Sequence, residues 1–140
     1  MKLNDKQLAY FFIRILFGIN IFIHGGIRLF NLEGFARAMS APFEQTFLGQ
    51  KWALPFAYAI PFIELIIGFL ILTGIKYRHA LHSFAVLLIL LTTGVCILQN
   101  WNVASQQLIY ALFYFVLIYF YKLNIFAFEL KKNNKFGESL

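Results

Sequence analysis

The chain has 140 residues, 61% hydrophobic and 13% charged, with 18 Phe, one Cys and a formal net charge of +6. Soluble domains are about 45–50% apolar and about 25% charged, and small domains bury the smallest share of their surface. The composition therefore excludes a soluble enzyme, a disordered tail and a secreted disulfide scaffold, and a lone Cys excludes an in-chain CxxC couple.

What remains is a single-domain integral membrane protein. A spanning helix needs about 20 mainly apolar residues, and four stretches qualify: about 8–30, 52–73, 80–99 and 106–121. Helices satisfy their own backbone in hydrocarbon, and no stretch alternates like a barrel strand. The predicted fold is an all-α, four-helix transmembrane bundle. The first stretch is too long for a cleaved signal peptide, carries Arg14 and lacks an A-x-A-type site.

The basic residues lie at the ends of the apolar stretches, which points to membrane topology and away from nucleic acid. Lys2, Lys6, Lys76, Arg78, Lys122, Lys131, Lys132 and Lys135 share one side, against Arg37 and Lys51, with Arg28 at the edge, on the other. Both termini, including a basic tail over 122–140, are predicted to be cytoplasmic. Trp52 and Trp101 fall at the predicted outer interface.

The first connection, about 31–51, is the one long outer loop. Phe35, Met39, Phe43 and Phe47 recur every fourth residue there. That stripe reads either as an interfacial amphipathic segment broken near Pro42 or as a loop covering the outer end. Gly74 marks the end of the second span before a tight turn.

Ionisable groups at membrane depth are costly, so each is a functional candidate. Counted from the ends of their spans, Arg14 and Glu64 sit roughly 9 and 13 Å deep. An Arg14–Glu64 ion pair is the simplest way to neutralise both. It would either fix the register of two helices or handle a proton or ligand. Arg14, Gly18, Ile21, Gly25 and Arg28 share one helix face, as do Ala57, Pro61, Glu64 and Gly68. Gly18, Gly25 and Gly68 are predicted to let the helices approach closely.

A second polar group lies toward the outer face: Asn20, His24 and Arg28 on the first span, Gln99 and Asn100 after the third, Gln106, Gln107 and Tyr110 on the fourth. These either line a polar pocket, with Arg28 facing an anion or a quinone carbonyl, or they snorkel and hydrogen-bond between helices. His79 and His82 read as interface anchors and Cys96 as a buried small residue. No His/Cys/carboxylate set has metal spacing. His24 and His82 lie near opposite faces, which disfavours haem. There is no phosphate-binding loop, nucleophile elbow or dinucleotide fingerprint.

Arg14-Ile-Leu-Phe-Gly18, His24-Gly25-Gly26-Ile-Arg28, Pro61-Phe-Ile-Glu64-Leu-Ile-Ile-Gly68 and Leu72-Thr-Gly74-Ile-Lys-Tyr-Arg78 together resemble the DoxX-like family, over roughly residues 8–110. That resemblance implies a four-helix bacterial inner-membrane protein, including the small membrane subunit of thiosulfate:quinone oxidoreductase. It implies a membrane subunit or anchor of a quinone-linked oxidoreductase in sulfur or thiol redox chemistry. Such a protein would have no redox centre of its own, possible contact with quinone, a soluble or membrane redox partner and a possible homo-oligomeric state. The fourth span departs from that pattern at Tyr121-Lys-Leu-Asn124. A small-solute transporter and a non-catalytic membrane scaffold are the competing readings.

Overall fold

The computed structural model describes residues 4–125. Every regular element among them is helical. Helix α1 spans Asp5–Phe30, α2 Leu32–Ser40, α3 Gly49–Thr73, α4 Tyr77–Ile97 and α5 Trp101–Tyr119. Short 3-10 turns cover Ala41–Gln45 and Tyr121–Leu123. Four helices, α1, α3, α4 and α5, are long and apolar enough to cross a membrane. Their outward surface is apolar: Leu16, Ile66, Ile89, Leu108 and Leu112 are each more than half exposed. In water that surface would be a liability, and in hydrocarbon it is the expected exterior. The chain is a multi-pass membrane protein. The sequence-predicted basic tail falls mainly on 126–140, outside the described residues.

Local chemistry sets the helix ends. Asn4 and Gln7 form a capping box on α1, where the Asn4 side chain accepts from Lys6 N (3.2 Å) and Gln7 Oε1 accepts from Asn4 N (3.3 Å). Gly74 closes α3 in the left-handed region (φ 74°), its N–H donating to Leu70 O at 2.9 Å. Helix α4 ends in a Schellman motif: Gln99 N donates to Cys96 O at 3.0 Å and Asn100 N to Val95 O at 2.9 Å. The left-handed position there is Gln99 (φ 54°), where glycine is usual. Asn100 then caps α5, accepting from Val103 N at 3.3 Å.

The long connection folds into α2 and the first 3-10 turn, with Pro42 in that turn's first positions. Of the four-residue stripe, Phe35 and Met39 are half-buried, Phe43 is buried, and Phe47 is 88% exposed. The segment is both helical and a cover, since three of the four aromatic or Met residues turn inward. Trp52 and Trp101 both start helices at this α2 end and are both exposed, as interfacial tryptophans are.

At the opposite, terminal end, Tyr10 joins three helices. Its hydroxyl donates to Leu117 O on α5 (2.6 Å) and lies 2.9 Å from the Tyr77 hydroxyl at the start of α4. Since a hydroxyl has one proton, Tyr77 is the donor in the second bond. Leu117 lies in the last turn of α5, where carbonyls run out of helical partners.

Helices α1 and α3 make the tightest contact in the molecule. A Cβ on Gly25 would fall 2.5 Å from Leu65 N and 2.6 Å from Pro61 O. One on Gly68 would collide with the Phe22 backbone, and one on Gly18 would lie 2.9 Å from the Leu72 side chain. At Gly25 and Gly68 these are backbone-to-backbone approaches of the small-residue type, while Gly18 makes room for a side chain. Gly26, one residue on, would meet only the Leu65 side chain at 3.7 Å. We therefore expect Gly25→Ala and Gly68→Ala to lower the melting temperature and the yield of folded protein from membranes sharply. Gly26→Ala should match the parent, because it adds an ordinary contact. Thermal unfolding in detergent of the three variants side by side checks this.

Candidate functional site

The glycine contacts set an antiparallel register: Gly18 beside Leu72, Phe22 beside Gly68, Gly25 beside Leu65. Each step along α1 matches an equal step back along α3. On this register Glu64 lies level with Gly26, within one turn of Arg28. Arg14 lies level with Lys76, 12 residues away from Gly26 along α1, or roughly 18 Å at the helical rise.

The sequence-predicted Arg14–Glu64 ion pair therefore does not form. Glu64 pairs with Arg28, whose Nη1 contacts Oε1 at 2.6 Å and Oε2 at 2.5 Å. The pairing from span ends assumed that the ends of α1 and α3 are level. They are not, because α3 runs past Phe30 to carry α2 and leaves the first turns of α1 to α4 and α5. Setting the small-residue faces directly opposite, Gly18 against Gly68 and Gly25 against Pro61, would place Glu64 level with Phe22; the observed register is four residues further along, which brings Glu64 to Arg28.

Arg14 is 2% exposed and makes no ion pair among the described residues. Its guanidinium carbon stands 5.6 Å from the Phe11 ring centre and 5.7 Å from that of Tyr77. Nε and Nη1 have no hydrogen-bond partner there. Two ring faces are its counter-charge.

The Arg28–Glu64 pair forms one wall of a cavity of about 320 Å³ near the α2 end, within the range of small-molecule sites. Of the predicted pocket residues, Asn20, His24, Arg28, Gln106, Gln107 and Tyr110 line it, joined by Glu64. Tyr110 donates to Asn20 Oδ1 at 2.9 Å across the α1–α5 gap. Gln107 Oε1 is buried with no hydrogen-bond partner. Phe35 of α2 covers the Arg28 guanidinium at 4.7 Å, so α2 closes the cavity with an aromatic face. The apolar wall is Ile60, Phe84, Leu88 and Leu91.

Gln99 and Asn100 do not join this cavity. Their backbone and side chain are used in turning α4 into α5, a role that outweighs polarity near a helix end. His82, read as an interface anchor, lies 3.2 Å from the Tyr114 hydroxyl through Nδ1. Cys96 is half-buried and has a free thiol.

Three further depressions touch the cavity, and that between α4 and α5, of about 420 Å³, shares Leu88 and Gln107 with it. One of about 480 Å³ lies on the α1–α5 side and shares Asn20, Gln106 and Tyr110 with it. Another of about 370 Å³ lies between α3 and α4 under the first 3-10 turn, and shares Met39, Leu91 and Val95.

Among protein families, one described as methylamine utilisation protein MauE matches residues 6–107. No curated protein and no solved structure matches the chain. This match overturns the DoxX-like resemblance. Arg14, Gly18, His24, Gly25, Glu64, Gly68 and Gly74 carried the resemblance, and of these the glycines pack α1 on α3 and end α3. They report how two helices pack in lipid, which different membrane families share.

A double-mutant cycle tests the ion pairing. Arg28→Met leaves Glu64 without its partner and should cost on the order of 3 kcal/mol. Arg28→Met with Glu64→Gln should recover much of that, giving a coupling of about 1–3 kcal/mol. The same cycle between Arg14 and Glu64 should give a coupling near zero. Unfolding by detergent titration measures all of these.

Proposed function

The chain belongs to the MauE family, and on that footing we propose that it is a membrane accessory subunit of a redox system whose polar cavity holds the ring of a membrane quinone. The observation that carries this reading is that donors and an unpartnered acceptor belong to residues lining one cavity. Arg28 and His24 on α1 offer donors, and Gln107 on α5 lines the same cavity with an Oε1 that has no hydrogen-bond partner. A quinone presents carbonyl acceptors at both ends of its ring, and a hydroquinone presents hydroxyl donors there. A lining with both donors and an unpartnered acceptor suits both forms. A buried acceptor left unmade costs stability, so its retention fits a ligand that satisfies it.

The family's description concerns methylamine utilisation. Releasing the nitrogen of methylamine with its carbon as an aldehyde removes two electrons and two protons. A quinone takes up two electrons and two protons to become a hydroquinone. In this reading the chain positions the ring, and a partner holding a redox centre delivers the electrons. On the charge asymmetry of its loops, the cavity lies in the outer half of a bacterial inner membrane.

Gentle purification from the native membrane, with mass spectrometry of co-purifying proteins and of the lipid extract, is the test. A redox enzyme at matched abundance, together with quinone, is the expected result. His24→Ala and Gln107→Leu should each lower quinone retention about tenfold at unchanged protein yield, as expected for the loss of one well-placed hydrogen bond from a buried site. A protein that emerges alone and quinone-free overturns the reading and favours transport or scaffolding.

A further inference from the structure

We propose that the apolar depression between α3 and α4 is the tail site of the same ligand, so that the protein binds a polar ring and its hydrocarbon chain as one amphiphile. This rests on the quinone reading of the polar cavity and adds where the chain of that quinone runs. Three observations lead here. First, the depression and the cavity share Met39, Leu91 and Val95, so these side chains stand between the two spaces. A thioether on three rotatable bonds is the most adaptable partition a core can offer. Second, the depression is lined almost wholly by apolar groups, including Phe43, Trp52, Phe56 and Leu98. The one hydroxyl at its edge, Thr93 Oγ1, is already spent on Ile89 O at 2.8 Å. The exit between α1 and α5 sets Asn20, Gln106 and Tyr110 beside Leu16, Phe17, Ile109 and Phe113, a more polar surface, and the depression between α4 and α5 meets the cavity at Leu88 and Gln107 and has no part of the α2 roof.

Third, α2 and its 3-10 turn roof both spaces together. Phe35 covers the Arg28 end, Met39 touches both, and Phe43 covers the apolar end. The four-residue stripe thus lies along the path from ring to tail. Gly94 opens the floor of the tail site, where a Cβ would meet Phe43 Cζ at 3.4 Å. A larger residue there fills the depression without entering the polar cavity, which Gly94 does not line.

The experiment compares two probes on the full-length protein in nanodiscs: a tail-less dimethoxy-methyl-benzoquinone, and the same ring carrying a decyl chain that ends in a diazirine. Binding is measured against protein-free nanodiscs to remove partitioning. With partitioning removed, what remains is the packing of the chain against the walls of the depression and not its transfer out of water, so the decyl probe should bind severalfold more tightly than the ring alone. On illumination it should label residues 52–56 and 90–98. Gly94→Leu should abolish the tail's advantage while leaving the ring-only affinity unchanged. Leu90→Trp, at a half-exposed position of the same wall, should act in the same direction and guards against a folding defect peculiar to Gly94. If the ring binds but the tail adds nothing, or labelling falls on the α1–α5 side, or Gly94→Leu and Leu90→Trp change nothing, the tail site is wrong and the quinone reading survives. If a photoreactive phospholipid labels the depression and the decyl probe does not displace it, the space is a lipid seat and the proposal fails. If neither probe binds, the quinone reading falls and takes the tail site with it.

Discussion

The backbone contact between α1 and α3 governs the rest of the molecule. Gly25 and Gly68 admit no Cβ without a backbone collision, so the two helices can meet in only one register. That register decides which charges find each other. It brings Arg28 to Glu64 and keeps Arg14 away from it. It also pushes α3 beyond the end of α1, which gives α2 a surface to fold against. In lipid there is no hydrophobic gain from helix association, so close van der Waals packing is the term available to set such a register. The ion pair is then a consequence of packing and not its cause.

The two arginines of α1 show how differently a membrane protein can neutralise charge. Arg28 has a carboxylate on one side and an aromatic ring on the other. Arg14 has rings alone among the described residues and is more deeply buried. The delocalised guanidinium suits both environments, where a lysine ammonium would demand more from its surroundings. The difference also separates two regions by role. The α2 end gathers ionisable and amide groups around open space. The terminal end gathers Tyr10, Arg14 and Tyr77 around a closed hydroxyl and ring contact.

The four spans were legible in the residues because each is a long apolar stretch with charges at its edges, a signal that needs no tertiary information. The glycine positions were legible for the same reason, since small residues at seven-residue separation on one face state their own use. The clustering of Asn20, His24, Gln107 and Tyr110 followed from topology, because antiparallel spans place the end of one beside the start of the next. The partner of Glu64 was not legible from span ends, since stagger is a property of two helices together. Gln99 and Asn100 were misread because a side chain's polarity does not reveal that a turn has already claimed it. The family was misread because packing residues look alike across families. What those residues report is the bundle, while the chemistry of the cavity depends on which side chains the bundle happens to bring inward.

The Tyr10 hydroxyl has a further consequence for how the chain is assembled. It accepts from Tyr77 and gives its one proton to a carbonyl in the last turn of α5, so α5 is finished by a residue of α1 that lies 107 positions earlier in the chain. The termination of α5 is thus a tertiary event. Until the earlier spans are in place and the new one docks, that carbonyl has no tyrosine to receive it. The Tyr10 and Tyr77 hydroxyls and the Leu117 carbonyl are therefore satisfied only once α1, α4 and α5 have come together.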